Sequence, residues 1–457
     1  MRGPRTFFKK YSWLMEAEMN GQRFILFILL FSTLLFIHLF PVVEGVPRGA
    51  LVIIGGGLEE DNAAVYNRFI QLGGGVDRIR IAIIPAASVT PVESGRAYIQ
   101  DFGRYGVAAE RIKVFPLAII DDPITPDTDE SLWAGNGSKP ELAEEMRGYS
   151  AVFFVGGDQE RYIRTLKTPD GQDVPLLAAI REVYRGGGVI GGTSAGAAIM
   201  SDPMICGGDS IDAMVGEAVY SDSPCPEKGG VRLTRGLGFF NAGLVDQHFI
   251  KRGRMGRVLA ALFFLPRVDL GIGIDEDTAA IFYGDRNVVE VVGRSGVLLV
   301  DVSQVLPTAR RGGVPIKNIV LHYLEAGDLY HLDTNRFEIH AGRKLIEKGK
   351  EYYDSSPLQT AIFGKDAVKD IITAGLVDCS VTEAAGIGFT LDKLENKNQS
   401  SIGNGVQLKF RKGKETQGYS GTIDGKETYS ALNVYLDIIP VNVGVEPIPQ
   451  LMRGTQR

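Results

Sequence analysis

From residue 50 onward, apolar positions come in short unbroken runs separated by glycine turns. Leu51-Val52-Ile53-Ile54 leads into Gly55-Gly56-Gly57, and Ile79 to Pro85 reads IRIAIIP. Val114-Phe115, Ala151 to Val155 (AVFFV) and Val189-Ile190 continue the series. Strands without polar alternation are buried on both faces, the mark of a parallel sheet covered by helices. Helical stretches such as Asn62 to Leu72 and Leu176 to Tyr184 lie between the runs. This βαβα order predicts an α/β fold with a doubly wound, mostly parallel sheet. The β-branched stretch Val288 to Val302 predicts a strand pair turning around Gly293-Arg294-Ser295-Gly296. After residue 345 the composition turns mixed polar, and 393–404 (KLENKNQSSIGN) reads as an exposed loop. The last hundred residues predict a small α+β C-terminal appendage without a recognisable chemical motif.

The chain of 457 residues suggests roughly two or three domains. The expected division is 1–45 as a leader, 46–345 as a catalytic α/β domain and 346–457 as a C-terminal region of unknown role. From Phe24 to Phe40 the only non-apolar residues are Ser32, Thr33 and His38, with Arg23 just before. This run predicts a secretory signal cut after roughly Gly45, and hence a secreted or extracytoplasmic protein. The rival is an uncleaved membrane anchor, since the run is just long enough to span. Met19 is a possible alternative start. With 49 basic and 55 acidic residues the net charge is −6, which disfavours nucleic acid as a partner. Three cysteines are too few for a disulfide scaffold or a four-thiolate zinc site, and no metal is expected. In an oxidising compartment Cys206 and Cys225 are near enough along the chain to close a loop. The glycine clusters complete neither a dinucleotide fingerprint nor a phosphate loop, so no nucleotide cofactor is expected.

The strongest chemical signal is Gly191-Gly192-Thr193-Ser194-Ala195-Gly196-Ala197. A buried strand feeds into it and an Ala-rich helix start follows. Gly192 to Gly196 fits G-x-S-x-G, in which small neighbours let the chain turn sharply and present the serine hydroxyl. The N–H of Ala195 then lies at a helix amino terminus, suited to an oxyanion. Of five histidines, His38 falls in the leader, and His322, His331 and His340 lack partners at metal spacing. His248 ends Gly243-Leu244-Val245-Asp246-Gln247-His248, an apolar strand running into polar residues, and is the candidate general base for Ser194. Another apolar run, Leu270 to Ile274, ends in Asp275-Glu276-Asp277, and one of these carboxylates is the candidate third member. In Val155-Gly156-Gly157-Asp158-Gln159, Gly157 offers a second backbone donor and Gln159 a hydrogen bond to a substrate amide. Arg252, Arg254 and Arg257 follow His248 closely, with Lys251, and such guanidinium forks bind carboxylates.

Four motifs in order, VGGDQ at 155–159, GGTSAGA at 191–197, DQHF at 246–249 with its three arginines, and GIDEDTA at 273–279, resemble the cyanophycinases. That serine-peptidase family also contains the aspartyl dipeptidases. The resemblance covers roughly residues 50–300. It implies a flavodoxin-like fold related to class I glutamine amidotransferase domains. It also implies cofactor-free cleavage of cyanophycin (multi-arginyl-poly-aspartate) to β-Asp-Arg dipeptides, with attack on the β-aspartyl carbonyl, and commonly a homodimer. Carried over by motif, Ser194 is the nucleophile, His248 the base and Glu276 the third member. Gln159, Asp246, Gln247, Arg252, Arg254 and Arg257 would line the substrate pocket. The alternatives are an aspartyl dipeptidase or isoaspartyl peptidase of the same fold, or a non-catalytic extracytoplasmic binding protein. The stretch between Ser194 and His248 is longer than the family pattern, and the export signal suggests an extracellular variant.

Overall fold

The computed structural model describes residues 49–216, 218–220, 229–305, 315–391 and 401–445. The apolar run at 24–40 and Cys225 lie outside the described residues. No helix among the described residues is long and apolar enough to cross a membrane.

The first sheet has nine strands. Their order is Arg336–Glu338, Leu329–His331, Val288–Gly293, Thr278–Tyr283, Ala50–Ile54, Val189–Thr193, Ala151–Phe154, Ile81–Ile84 and Ile112–Val114. The last five run parallel; four of them coincide with the unbroken apolar runs of the sequence, while the edge strand Ile112–Val114 carries Lys113 and overlaps the expected run only at Val114. The other four are antiparallel, so the sheet is mixed instead of mostly parallel. Burial explains the composition of the parallel half. Leu51 and Ile53 pack into one apolar cluster, while Ala50, Val52 and Ile54 pack into another on the opposite face. The second cluster is roofed by Phe69 of the helix Ala63–Leu72 and Phe102 of the helix Pro91–Arg104. Helix Pro175–Arg185 covers the other face through Leu176, Leu177, Ile180 and Tyr184.

A second, largely antiparallel sheet holds Lys344–Leu345, Ser401–Ile423, Lys426–Val445, Ile316–Glu325, Gly296–Asp301, Leu270–Ile274 and Leu244–Asp246, in that order. Glu383–Phe389 pairs with Ser401–Ile423. Ile272, Ile274, Val297 and Leu299 of this sheet share a core with Leu51 and Ile53 of the first. Its other face packs against Val258, Leu259 and Leu262 of the helix Met255–Phe264.

Two expectations change here. Residues 288–293 and 296–301 do not pair with each other. Each strand joins a different sheet, and the chain crosses between sheets at 294–295. Nor is 346–445 set apart as an appendage. Its long hairpin pairs antiparallel with Ile316–Glu325, with two register shifts, and Phe410, Leu436 and Ile438 enter the second core. Apolar alternation marks a strand but not the sheet that receives it.

Candidate active site

Ile54 pairs with Thr193 in the parallel register, so the chain leaves these two strands side by side. Gly55 follows one and Ser194 the other, and Ser194 N–H donates to the Ile54 carbonyl at 3.0 Å. Ser194 sits at φ 53° and ψ −108° between the strand and the short helix Ala195–Ala198. A positive φ is unfavourable for serine, and here the flanking strand and helix hold it. As the first helical residue, Ala195 has an N–H without an intrahelical partner. Across the rim, Gly157 adopts φ +135°, and a Cβ there would overlap the Ala87 carbonyl. That loop is braced. Asp158 N–H donates to the Ala87 carbonyl at 3.0 Å, and Arg161 Nη1 donates to the carbonyls of Ala87 and Ser88 at 3.0 and 2.9 Å.

His248 enters from the second sheet. It follows Leu244–Asp246, takes φ 49°, and is only 7% exposed. Ser194 Oγ lies 2.8 Å from His248 Nε2, and His248 Nδ1 lies 2.7 Å from Glu276 Oε1. A donor at Nδ1 toward the carboxylate leaves Nε2 as acceptor for the hydroxyl. Burial pushes the His248 pKa below the ordinary histidine value. The Glu276 hydrogen bond opposes this, and the charges of Arg252 and Arg254 add to it. His248 N–H donates to the Gly55 carbonyl at 2.6 Å. The imidazole lies against Gly56, where any Cβ would overlap the ring.

Among the three consecutive carboxylates only Glu276 reaches the imidazole. Asp275 is buried and accepts from Lys251 N–H at 2.8 Å and Ser295 Oγ at 2.7 Å. Asp277 accepts from Asn62 Nδ2 at 2.7 Å, Glu59 N–H at 3.0 Å and Arg294 Nη1 at 3.1 Å. Both fasten the turn where the chain passes from the second sheet to the first. The three groups thus meet where the two sheets join, not at the rim of a single sheet as the strand-end pattern suggests.

The expected pocket residues divide. Asp246 and Arg257 are 1% and 4% exposed and form a bidentate pair, with Arg257 Nε 2.7 Å from Asp246 Oδ2. Arg257 Nη1 also donates to the Gly208 carbonyl at 3.1 Å. These two charges satisfy each other inside the protein and do not line an open pocket. Gln247 is buried and accepts from Arg254 through its backbone carbonyl (2.8 Å) and side-chain oxygen. Burial and the Arg257 charge push the Arg254 pKa down. Gln159 Nε2 donates to the Cys206 carbonyl at 2.9 Å, which ties its amide to the strand Met204–Gly207. Arg252 stays open, with its side chain 54% exposed and Nε 3.8 Å from Glu276 Oε1. Cys206 is disulfide-bonded and Cys379 is a free, buried thiol. No cluster of three or more histidine, cysteine or acidic side chains suited to a metal occurs among the described residues.

The chain is 36% identical over 297 residues to the cyanophycinase of Geminocystis herdmanii, a match taking in 63% of this chain and 96% of that protein. It is 34% identical over 291 residues to the cyanophycinase of a Nostoc species, covering 62% of this chain and 86% of that one. The chain belongs to the cyanophycinase family. It is therefore a peptidase of the serine type. Among solved structures it is similar to a peptidase from an acI-B1 Actinobacterium, at 23% identity and a TM-score of 0.41. That match covers 63% of this chain and 98% of the other. No family model matches the chain. The match to the family leaves more than a third of the chain outside it.

Sequence reasoning explained Gly55 to Gly57 as an ordinary strand-end turn and missed its second use as the bed of the imidazole. Three consecutive glycines after a buried strand were the available signal. Nothing in the local sequence marked Asp275 and Asp277 as fasteners, because Ser295, Arg294 and Asn62 come from distant segments.

Proposed function

We propose that this protein degrades cyanophycin to β-Asp-Arg dipeptides through an acyl-enzyme on Ser194. One observation carries the reading: the hydrogen-bond chain from Ser194 Oγ through the His248 imidazole to Glu276, at 2.8 and 2.7 Å. Neutral His248 takes the Ser194 proton as the hydroxyl attacks an aspartyl carbonyl. Glu276 orients the imidazole and stabilises the imidazolium that forms. The oxyanion rests on the N–H of Ala195, with the Gly157 N–H opposite it. The imidazolium protonates the leaving amine, and the acyl ester remains on Ser194. Water then loses a proton to His248 and adds to the ester, releasing the carboxylic acid and restoring the serine.

Bond accounting corrects one expectation. A polyaspartate backbone with arginyl branches yields β-Asp-Arg only if backbone amides break and the branch bond survives. The attacked carbonyl is therefore the α-carbonyl of aspartate and not the β-carbonyl. Each arginyl branch carries a free α-carboxylate, and Arg252 is the arginine of the trio open to meet it. The reading includes an extracytoplasmic location, supported by the apolar run at 24–40, and a homodimer. Cell fractionation with and without residues 1–45, and sedimentation of the purified protein, check these two points.

The deciding experiment incubates purified protein with cyanophycin and identifies products by mass spectrometry. β-Asp-Arg dipeptides are expected, and Ser194→Ala lowers their release by about 10⁶-fold. Unchanged release by Ser194→Ala overturns the acyl-enzyme. Cleavage confined to short aspartyl or isoaspartyl peptides favours the dipeptidase alternative, and binding without cleavage favours a binding protein.

A further inference from the structure

We propose that Arg161 is a positioning residue for the reaction: it clamps the Ala87–Ser88 turn against which the Gly156–Gly157 peptide lies, and so fixes the second oxyanion donor. This rests on the acyl-enzyme reading above and extends it to a side chain outside the triad. A free donor stands beside the nucleophile. A Cβ at Gly156 would lie 3.4 Å from Ser194 Cβ and 3.9 Å from Ser194 Oγ. Gly157 is exposed, and its N–H has no acceptor among the described residues. No strand holds that N–H in place, since the parallel strand ends at Phe154. Gly157 instead rests on the Ala87 carbonyl so closely that only glycine fits, at φ +135°. Asp158 N–H donates to the same carbonyl at 3.0 Å. The position of the donor therefore follows that of the Ala87 peptide.

Ala87 and Ser88 are themselves loop residues beyond the strand Ile81–Ile84, and both are buried. Buried carbonyls need donors. Arg161 supplies them, with Nη1 3.0 Å from the Ala87 oxygen and 2.9 Å from the Ser88 oxygen. Among the described residues no other donor reaches the Ser88 carbonyl. The guanidinium is held in turn, its Nε 3.5 Å from Asp158 Oδ2, one helical turn away. Asp158 also caps the helix Gln159–Leu166 by accepting from Glu160 N–H at 3.0 Å.

Next along that helix, Tyr162 serves the strands. Its hydroxyl lies 2.9 Å from the Ile84 carbonyl and 2.8 Å from the Val155 carbonyl. Neighbouring residues thus divide the work: Tyr162 ties the strand ends, and Arg161 ties the loops beyond them. Loss of Arg161 leaves the strands fastened and frees the turn that seats Gly157. An oxyanion donor acts in the transition state more than in the ground state, so its displacement shows in kcat and not in KM.

The test compares full-length wild type, Arg161→Ala and Arg161→Lys on a soluble cyanophycin fragment and on a fluorophosphonate, whose phosphorus Ser194 attacks with loss of fluoride. Arg161→Ala should lower kcat about 100-fold and change KM by less than about two-fold. Fluorophosphonate labelling of Ser194 should slow about ten-fold, because the phosphoryl oxygen needs the same donors. The acid limb of the pH profile should stay in place, since the charges acting on His248 are those of Arg252, Arg254 and Glu276. Arg161→Lys keeps a cation with donors for both carbonyls and should recover most of the rate. A raised KM at unaltered kcat makes Arg161 a substrate contact and overturns the proposal. A melting temperature lowered in step with kcat, or an unaltered labelling rate, overturns it as well. If the wild type is labelled but does not cut the fragment, the polymer reading falls and the labelling rates decide on Arg161. A wild type neither labelled nor active removes both.

Discussion

The two sheets contribute to the site in different ways. The first positions Ser194 through a local device, a buried strand, a strained turn and a helix start within about ten residues of chain. The second delivers His248 and Glu276 from the ends of two parallel neighbours, Leu244–Asp246 and Leu270–Ile274. What aligns them with the serine is a set of long-range fastenings: Gly55 and Gly56 under the histidine, and Asp275 and Asp277 pinning the crossing turn. The placement of Ser194 is thus a product of local chain geometry, and that of the His248–Glu276 pair is a product of sheet assembly. Substitutions should separate the two.

After the loss expected for Ser194→Ala, the largest effect is on the His248 side. Glu276→Gln leaves the fold intact but frees the imidazole to adopt the wrong tautomer, lowering kcat by about 10⁴-fold. If steady-state kinetics show less than ten-fold loss, Glu276 is not the orienting group. Gly56→Ala places a methyl group where the ring sits. A displacement of about 1 Å should cost roughly 100-fold in kcat/KM. An alanine variant with full activity would show that the imidazole has another resting place.

The next test concerns support behind the site. Arg257→Met removes the bidentate partner of buried Asp246, leaving it only Arg254 at 4.0 Å, and should destabilise folding by about 3 kcal/mol in denaturant titrations. The double change Asp246→Leu with Arg257→Met should recover much of that loss. Equal destabilisation by the single and double variants would deny the pair a structural role.

The smallest effect is electrostatic. In the proposed mechanism activity depends on neutral His248, so kcat/KM should fall as pH drops through the His248 pKa. Arg252 contributes to holding that pKa low. Removing its positive charge in Arg252→Ala lets the pKa rise, and the acid limb should move to higher pH by less than about one unit. Movement to lower pH in a pH–rate profile would reverse the assigned sign.

The buried runs at 51–54, 79–85, 151–155 and 189–190 each correspond to a strand of the parallel half, because burial on both faces demands unbroken apolar residues. Ser194 and His248 were legible for a related reason. Both stand just past apolar strands, one in a turn of small residues and the other among polar ones. The choice of Glu276 among three carboxylates was not legible from the residues alone. It depends on which neighbours Asp275 and Asp277 find, and those partners lie at least 17 positions away in Ser295 and Arg294. The arginine cluster misled for a different reason, since its partners are near in sequence and only the folded turn aims the side chains at them. Its spacing after His248 suggested three carboxylate binders, yet Arg257 turns inward to Asp246 and Arg254 to Gln247.

Short-range patterning in the chain was enough to mark the α/β strands, the serine turn and the histidine that ends beside it, since each is encoded by residues adjacent in sequence. Only the tertiary structure decided that two sheets meet at the site, that residues 346–445 complete the second of them, and which charges remain open to a substrate. Sheet pairing joins strands far apart in the chain, and even for near neighbours such as Asp246 and Arg257 the ion pair depends on how the turn between them folds.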